Sequence, residues 1–133
     1  MTGDAAHLAT GRRGEDLAAD HLLRTGWRIV ARNWRCRHGE IDFVCQNGDT
    51  LVFVEVKTRT ASPQADPAGA VTGSKRGRIV KAASAYLTSR DAWDSPCRFD
   101  VVTILETPAG PRVEHIENAF EASAYMGRGY QPF

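Results

Sequence analysis

The sequence of 133 residues lacks the features of membrane, secreted and disulfide-stabilised proteins. It has no long apolar run and no apolar segment near its N-terminus, which argues against a membrane span and a secretory signal. Its three cysteines are odd in number and form no C-x-x-C pair, so neither a disulfide framework nor a thiolate zinc site is expected. We therefore expect a cytoplasmic protein without a membrane partner.

A strong net charge is also absent, because 17 Lys and Arg residues oppose 16 Asp and Glu residues and leave a net charge of +1. The arginines are unevenly distributed, since seven of them lie between Gly11 and His38 against three acids. Such a segment is typical of a phosphate-facing surface, and equally of a solvated helix face and strand. Composition does not separate these two alternatives.

No repeat, low-complexity tract or linker divides the chain, and its 42% hydrophobic and 25% charged residues are ordinary for a globular domain. The length suits a single domain. We expect a flexible N-terminus over residues 1–10, a single folded domain over 11–117 and a C-terminal tail over 118–133.

Hydrophobic periodicity predicts the order α-β-β-β-α-β, followed by a short last strand. The expected helices are 11–25 and 74–89, and the expected strands are 27–33, 40–46, 50–58, 98–105 and 113–116. Asn47-Gly48 predicts a tight hairpin between the second and third strands. The second helix has the length of a right-handed crossover. The predicted class is α/β, with a mixed central sheet flanked by helices.

The third predicted strand carries two charged residues among apolar ones. Glu55 and Lys57 point to the same face of this strand because side chains alternate along it. The strand is too apolar to be freely exposed, so the two charges need a reason. With the predicted two-residue turn, Asp42 falls opposite Phe53 and becomes a diagonal neighbour of Glu55 on the same face.

Two convergent carboxylates repel each other unless a cation lies between them. Mg²⁺, or Mn²⁺ in its place, binds oxygen ligands and would suit Asp42 and Glu55 beside a phosphate. The metal would activate a water, and Lys57 would orient or deprotonate it or stabilise the phosphate charge. Glu15 of the first helix would complete the acidic cluster. The alternatives are an ordinary Glu55–Lys57 ion pair and a Glu15 that serves only the helix dipole.

Five motifs together resemble the YraN-like family of uncharacterised bacterial proteins: Gly11-x-x-Gly14-Glu15-x-x-Ala18, Asn33-x-Arg35, Gly39-Glu40-Ile41-Asp42, Val52-Phe53-Val54-Glu55-Val56-Lys57-Thr58-Arg59 and Arg98-Phe99-Asp100-Val101-Val102. That family is similar to archaeal Holliday-junction resolvases and to restriction-type nucleases. The resemblance implies a restriction endonuclease-like fold with a PD-(D/E)xK site at Asp42, Glu55 and Lys57. Glu15 matches the first-helix acid of the resolvases, and Ile41 replaces the proline of the motif.

Four basic residues flank the proposed site in sequence and are candidates for binding nucleic acid: Arg35, Arg37, Arg59 and Lys75. Each is also explained by solvated surface charge, although Lys75 opens a helix, where phosphate-binding amides lie. We hypothesise a metal-dependent endonuclease that acts on DNA, including branched or structured DNA, as a homodimer by analogy with the resolvases. The alternatives are a non-catalytic nucleic-acid-binding module and a structural or adaptor protein.

Overall fold

The structure, a computed structural model, describes the backbone of residues 3–60 and 73–122 and the side chains of 13–59 and 73–122. The elements are α1 (Gly3–Arg24), β1 (Arg28–Cys36), β2 (Gly39–Asn47), β3 (Thr50–Thr60), α2 (Gly73–Arg90), β4 (Cys97–Thr107) and β5 (Gly110–Ile116). They follow the predicted order, with β5 as the short last strand. Residues 61–72, between β3 and α2, and most of the expected C-terminal tail over 118–133 lie outside the described residues.

The centre of the fold is a five-stranded sheet in the order β1-β2-β3-β4-β5. β3 and β4 are parallel, and the other neighbouring strands are antiparallel. α2 connects the parallel pair, since parallel strands need a crossover of about a dozen residues or more. The predicted mixed sheet flanked by helices is therefore confirmed.

The two helices cover opposite faces of the sheet. Residues of α1 pack in one core cluster with Val52 and Val54, whereas residues of α2 pack in a second cluster with Leu51 and Phe53. Because successive side chains of a strand point to opposite faces, the face that carries Phe53 also carries Glu55. Glu55 therefore lies on the α2 side of the sheet.

The first helix is longer than predicted, because α1 begins at Gly3 rather than at Gly11. Residues 3–10 are rich in alanine, which has the highest helix propensity, and this explains the earlier start. The predicted stop is close to the observed one. The Gly26 N–H donates to Leu23 O at 3.1 Å, and Gly26 has a φ of 90°, a conformation that glycine adopts without steric penalty.

The turn of the β2–β3 hairpin is displaced by one residue from its predicted position. Asn47 pairs with Thr50, so the two loop residues are Gly48 and Asp49 rather than Asn47 and Gly48. Gly48 has a φ of 60° and is the first loop residue, which is where a type II′ turn requires glycine. The conformational freedom of this glycine therefore sets the turn.

The displaced turn changes the strand register by two residues and keeps its parity. Val44 pairs with Phe53, so continuing the register on the same face brings Asp42 opposite Glu55. The predicted position of Asp42 opposite Phe53 is wrong. Parity decides which face a side chain occupies, so Asp42 still shares a face with Glu55, and the two lie closer together than diagonal neighbours would.

Gly14 brings α1 into close contact with β3, because a Cβ at this position would overlap Thr58 Oγ1. We expect Gly14→Ala to lower the free energy of unfolding by about 1–3 kcal/mol through this overlap, despite the higher helix propensity of alanine. Urea denaturation measures the loss. In Gly14→Ala/Thr58→Ala the hydroxyl is gone and stability should return, whereas an unrelieved loss in the double variant would contradict the contact.

Candidate active site

Four acidic residues from three elements lie near one another. Asp42 and Glu40 belong to β2, Glu55 belongs to β3 and Glu15 belongs to α1. The β2–β3 pairing ends at Phe43 and Val54. Just beyond it, the Val56 N–H donates a hydrogen bond of 2.8 Å to Asp42 Oδ2, in place of a bond to the backbone of β2. This bond fixes the Asp42 carboxylate beside β3.

Acids of the hairpin and cations of α2 line a common cavity of about 330 Å³. Its lining residues are Gly39, Glu40, Asp42, Glu55, Lys75, Arg78 and Ile79. The side chains of Asp42 and Glu55 therefore open into the same space on one side of the sheet. An arrangement of acids facing cations can hold a metal ion together with a phosphate group.

Three of the acids lie close enough to share one ion. Ligand oxygens of Glu15, Glu40 and Asp42 all lie within 4.8 Å of one another, and the three residues are half-buried. Carboxylate oxygens are the ligands that Mg²⁺ prefers, so the donor set fits a hard divalent cation. The group differs from the ligand pair proposed from sequence, because Glu40 joins it while Glu55 is paired with Lys75.

Asn33 links two of these acids. Its φ of 53° lies in the left-handed region, which asparagine tolerates better than most residues. In the amide orientation that suits both acceptors, its Nδ2 donates to Glu15 Oε1 at 3.3 Å and to Glu40 Oε1 at 2.9 Å. Asn33 belongs to a motif noted in the sequence, but no role followed from the motif alone.

Asn33→Gly is expected to weaken metal binding about 10–100-fold, the usual effect of removing a group that orients metal ligands. Glycine retains the left-handed backbone, so the variant removes the amide without straining the chain. Titration with Mn²⁺, followed by electron paramagnetic resonance, measures the affinity. Asn118→Gly is the matched control because Asn118 has a φ of 51° elsewhere in the fold. Equal affinities of the two variants would exclude this role.

The pKa of Asp42 is raised from 3.8 to about 8. Burial is the largest cause and the negative charge of Glu55 is the next, while the hydrogen bond from Val56 acts in the opposite direction. Glu15 and Glu40 raise the pKa of Asp42 further. The metal-free cluster therefore holds a proton at neutral pH, which a divalent cation would displace.

Glu55, Lys75 and Lys57 form a chain of contacts beside this cluster. Lys75 Nζ lies 2.7 Å from Glu55 Oε1, and the Glu55 side chain is only 6% exposed. The Lys75 ammonium group also donates a hydrogen bond to Lys57, which accepts it through its neutral amine. The pKa of Lys57 is lowered, first by burial and then by the hydrogen bond and charge of Lys75. Lys57 is thus easier to deprotonate than an exposed lysine, as a general base requires.

The cationic side of the cavity comes from α2. Burial opposes the charge of Lys75, but its hydrogen bonds to Glu55 and Lys57 raise its pKa. Arg78 lines the cavity three residues further along the helix, although no role was predicted for it. A spacing of three places side chains on one helix face, so the proposed position of Lys75 could have identified Arg78 as well.

The three other predicted phosphate-binding residues are not among those that line the cavity. Arg35 is 76% exposed, and its Nε lies 3.4 Å from Glu40 Oε2. Arg37 is exposed near the turn between β1 and β2, where its Nε donates to His38 Nε2 at 3.4 Å. Arg59 is half-buried on β3.

Comparison with known proteins identifies the family. A family model described as uncharacterised protein family UPF0102 matches residues 14–104. The chain belongs to this family. The four acids and both lysines of the UPF0102 site lie within the matched residues, and the family suggested by the sequence motifs is confirmed.

Several UPF0102 proteins are similar over most of the chain. A protein of Nitratidesulfovibrio vulgaris (strain DP4) is 50% identical over 133 residues, with 98% of each chain covered. A protein of Geobacter sulfurreducens is 54% identical over 122 residues, covering 90% of this chain and 95% of the relative. A protein of Oleidesulfovibrio alaskensis is 47% identical over 111 residues, covering 84% of this chain and 55% of the relative.

Among solved structures, the UPF0102 chain is similar to Pyrococcus furiosus SfsA in complex with Ca²⁺. The TM-score is 0.39 and the sequence identity is 13%, with 84% of this chain and 63% of that chain covered.

No helix of the described segments has both the length and the apolar character that a membrane crossing demands.

Proposed function

We propose that this UPF0102 protein is a metal-dependent endonuclease that hydrolyses phosphodiester bonds of nucleic acid. The observation that carries the proposal is the cluster of Glu15, Glu40 and Asp42 oxygens. Two of these acids, Glu40 and Asp42, line a cavity together with Glu55 and Lys75. Clustered acids that raise the pKa of a neighbour are unfavourable for the fold when they ionise, and a hard divalent cation removes that repulsion.

A contrast within the molecule argues against a purely structural role for these acids. Asp100, which is 1% exposed, interacts through its two oxygens with Arg98, His115 and the Asn118 N–H. Burial alone would raise the pKa of Asp100, but these hydrogen bonds lower it. Asp100 is an acid locked in an internal network. Asp42 differs, because its acidic neighbours raise its pKa.

The proposed roles follow from the position of each group. Asp42 and Glu55, with Glu15 and Glu40 beside them, would hold Mg²⁺ or Mn²⁺, because all four offer carboxylate oxygens. A bound ion would supply a water of lowered pKa and positive charge at the phosphate. Lys57 would accept a proton from the attacking water, consistent with its lowered pKa.

The cations around the cavity suit a polyanionic substrate. Lys75 and Arg78 line the cavity itself. Arg35, Arg37 and Arg59 are the further cations proposed to bind phosphate groups outside it. Charge of this kind binds the phosphate backbone without reading sequence. DNA, including branched or structured DNA, is the proposed substrate, and a homodimer and a cytoplasmic location belong to the same proposal.

Digestion of end-labelled linear, flapped and four-way DNA, in Mg²⁺, Mn²⁺ or EDTA, tests the function. We expect the wild-type protein to cleave DNA only with metal, and Lys57→Met to abolish this cleavage. Asp49→Asn is the control and should cleave as wild type does, since Asp49 is exposed on the hairpin loop. Metal-independent binding without cleavage would support the non-catalytic binding module instead. If the protein neither binds nor cleaves any of these substrates, the structural or adaptor alternative is supported.

A further inference from the structure

The ammonium group of Lys75 lies where a cation bound to Glu55 would lie. Lys75 Nζ is 2.7 Å from Glu55 Oε1, and the side chains of Lys75 and Glu55 are 31% and 6% exposed. A carboxylate this buried retains its charge only beside a cation or several donors. In the metal-free protein, Lys75 therefore neutralises Glu55.

The position of Lys75 in the fold allows it to leave Glu55. It is in the first turn of α2, lines the cavity and is half-buried, so its ammonium group lies on a flexible stem beside open space. Its ammonium group also donates a hydrogen bond to Lys57. The same side chain thus contacts the proposed metal ligand and the proposed base.

We propose that Lys75 competes with the metal for Glu55. When the metal binds, the Lys75 side chain moves, and its ammonium group exchanges Glu55 for a phosphate group of the nucleic acid. This inference rests on the proposed function of the site. A divalent ion bound by Glu55 and Asp42 would lie only a few ångströms from the present position of Nζ, where the two positive charges repel strongly. After leaving Glu55, the Lys75 side chain would bind phosphate, which is the role predicted for it from the sequence.

A consequence of this transfer is that metal and nucleic acid bind cooperatively. A phosphate group stabilises the displaced ammonium group, so nucleic acid favours the state in which Glu55 is free to bind the metal. Thermodynamic linkage requires the converse, that metal increases the affinity for nucleic acid by the same factor. The site would therefore assemble fully only when its substrate is present.

Mn²⁺ affinity of the full chain, measured by electron paramagnetic resonance, tests the competition. We expect Lys75→Gln to bind Mn²⁺ at least about tenfold more tightly than wild type, because one repelling charge beside the ion is removed. The matched control is Lys81→Gln, which removes the same charge from an exposed position of α2 and should change the affinity less than about twofold. Unchanged or weaker binding by Lys75→Gln would overturn the proposal.

A measurement on the wild-type chain keeps the test independent of how the variant folds. Addition of Mg²⁺ should increase the acetylation rate of Lys75 relative to Lys81, because the ammonium group leaves its buried partner. A constant ratio of the two rates under saturating Mg²⁺ would count against displacement.

Failure of this inference is distinguishable from failure of the proposed function. If Asp42→Asn abolishes Mn²⁺ binding but Lys75→Gln binds as wild type does, the acidic site stands and the competition is wrong. If wild type and Lys75→Gln both fail to bind Mn²⁺, or if binding survives Asp42→Asn, the proposed function and the inference fall together.

Discussion

Replacing Asp42 with asparagine is expected to lower metal-dependent cleavage at least about 100-fold, because an amide is a weaker ligand for a hard cation than a carboxylate. Asp42 interacts with all three other acids, because Glu15 and Glu40 belong to its oxygen cluster and the charge of Glu55 raises its pKa. Single-turnover cleavage in Mg²⁺ measures the loss. Cleavage at the wild-type rate would exclude Asp42 as a metal ligand.

The same substitution is expected to stabilise the metal-free protein at high pH. The folded protein holds a proton on Asp42 up to about pH 8, whereas the unfolded chain releases it near 3.8. Between these values the folded state binds more protons, so the stability of the metal-free wild type falls as pH rises. We expect Asp42→Asn to be more stable than wild type by about 2 kcal/mol or more near pH 9, with a smaller difference near pH 5.

Urea denaturation in EDTA at several pH values measures this difference. Asp49→Asn is the control, because it makes the same chemical change at an exposed position of the hairpin loop. Saturating Mg²⁺ should reverse the order, since only the wild type gains the binding free energy. An Asp42→Asn variant that is less stable than wild type in EDTA near pH 9 would show that Asp42 is not held among repelling acids.

Replacing Asp100 with alanine is expected to lower the free energy of unfolding by about 3–5 kcal/mol, because Arg98, His115 and the Asn118 N–H all lose their buried acceptor. Asp100 accepts 2.9 Å hydrogen bonds from Arg98 Nε, Arg98 Nη2 and the Asn118 N–H, and its Oδ2 lies 2.7 Å from His115 Nε2. These groups come from β4, β5 and the segment that follows β5. The substitution therefore loosens the sheet on the face opposite the candidate site.

The effect of Asp100 should depend on pH with the opposite sign to that of Asp42. The pKa of Asp100 is lowered below its ordinary value of 3.8 in the folded state. Its stabilisation is present above that value and is lost as pH falls through the folded pKa. Urea denaturation from about pH 7 to about pH 3 should show the cost of Asp100→Ala shrinking at the acid end.

Asp94→Ala is the control for this substitution, since Asp94 is exposed in the segment before β4. Its effect should stay within about 0.5 kcal/mol, as for most surface substitutions. A cost of Asp100→Ala no larger than that of Asp94→Ala would contradict the buried network.

Much of the site could be predicted from sequence because strand parity is a local property. The alternation of Glu55 and Lys57 with valines assigned both charged side chains to one face of β3. Any two-residue hairpin loop leaves Asp42 on that same face. The exact register could not be predicted, because Asn47-Gly48 and Gly48-Asp49 both suit tight turns. A turn at Asn47-Gly48 would place Asp42 opposite Phe53, whereas the observed turn at Gly48-Asp49 places it opposite Glu55.

Contacts between distant elements were beyond the reach of local patterns. The pairing of Lys75 with Glu55 depends on how α2 packs on the sheet, and hydrophobic periodicity fixes only which helix face is buried. The link from Asn33 to Glu15 and Glu40 likewise depends on the left-handed conformation of one residue. The sequence suggested phosphate binding for Lys75 from its charge and its place at the start of a helix. Its partner Glu55 lies 20 positions away in the chain, so the ion pair was not evident from local sequence.

Anomalous diffraction from crystals grown with Mn²⁺ tests the metal site most directly. We expect an anomalous peak in the cavity, with Asp42 and at least one of Glu15, Glu40 and Glu55 at about 2 Å from the ion. A protein that cleaves DNA in Mn²⁺ while its crystals hold the ion elsewhere, away from Asp42, would contradict the site.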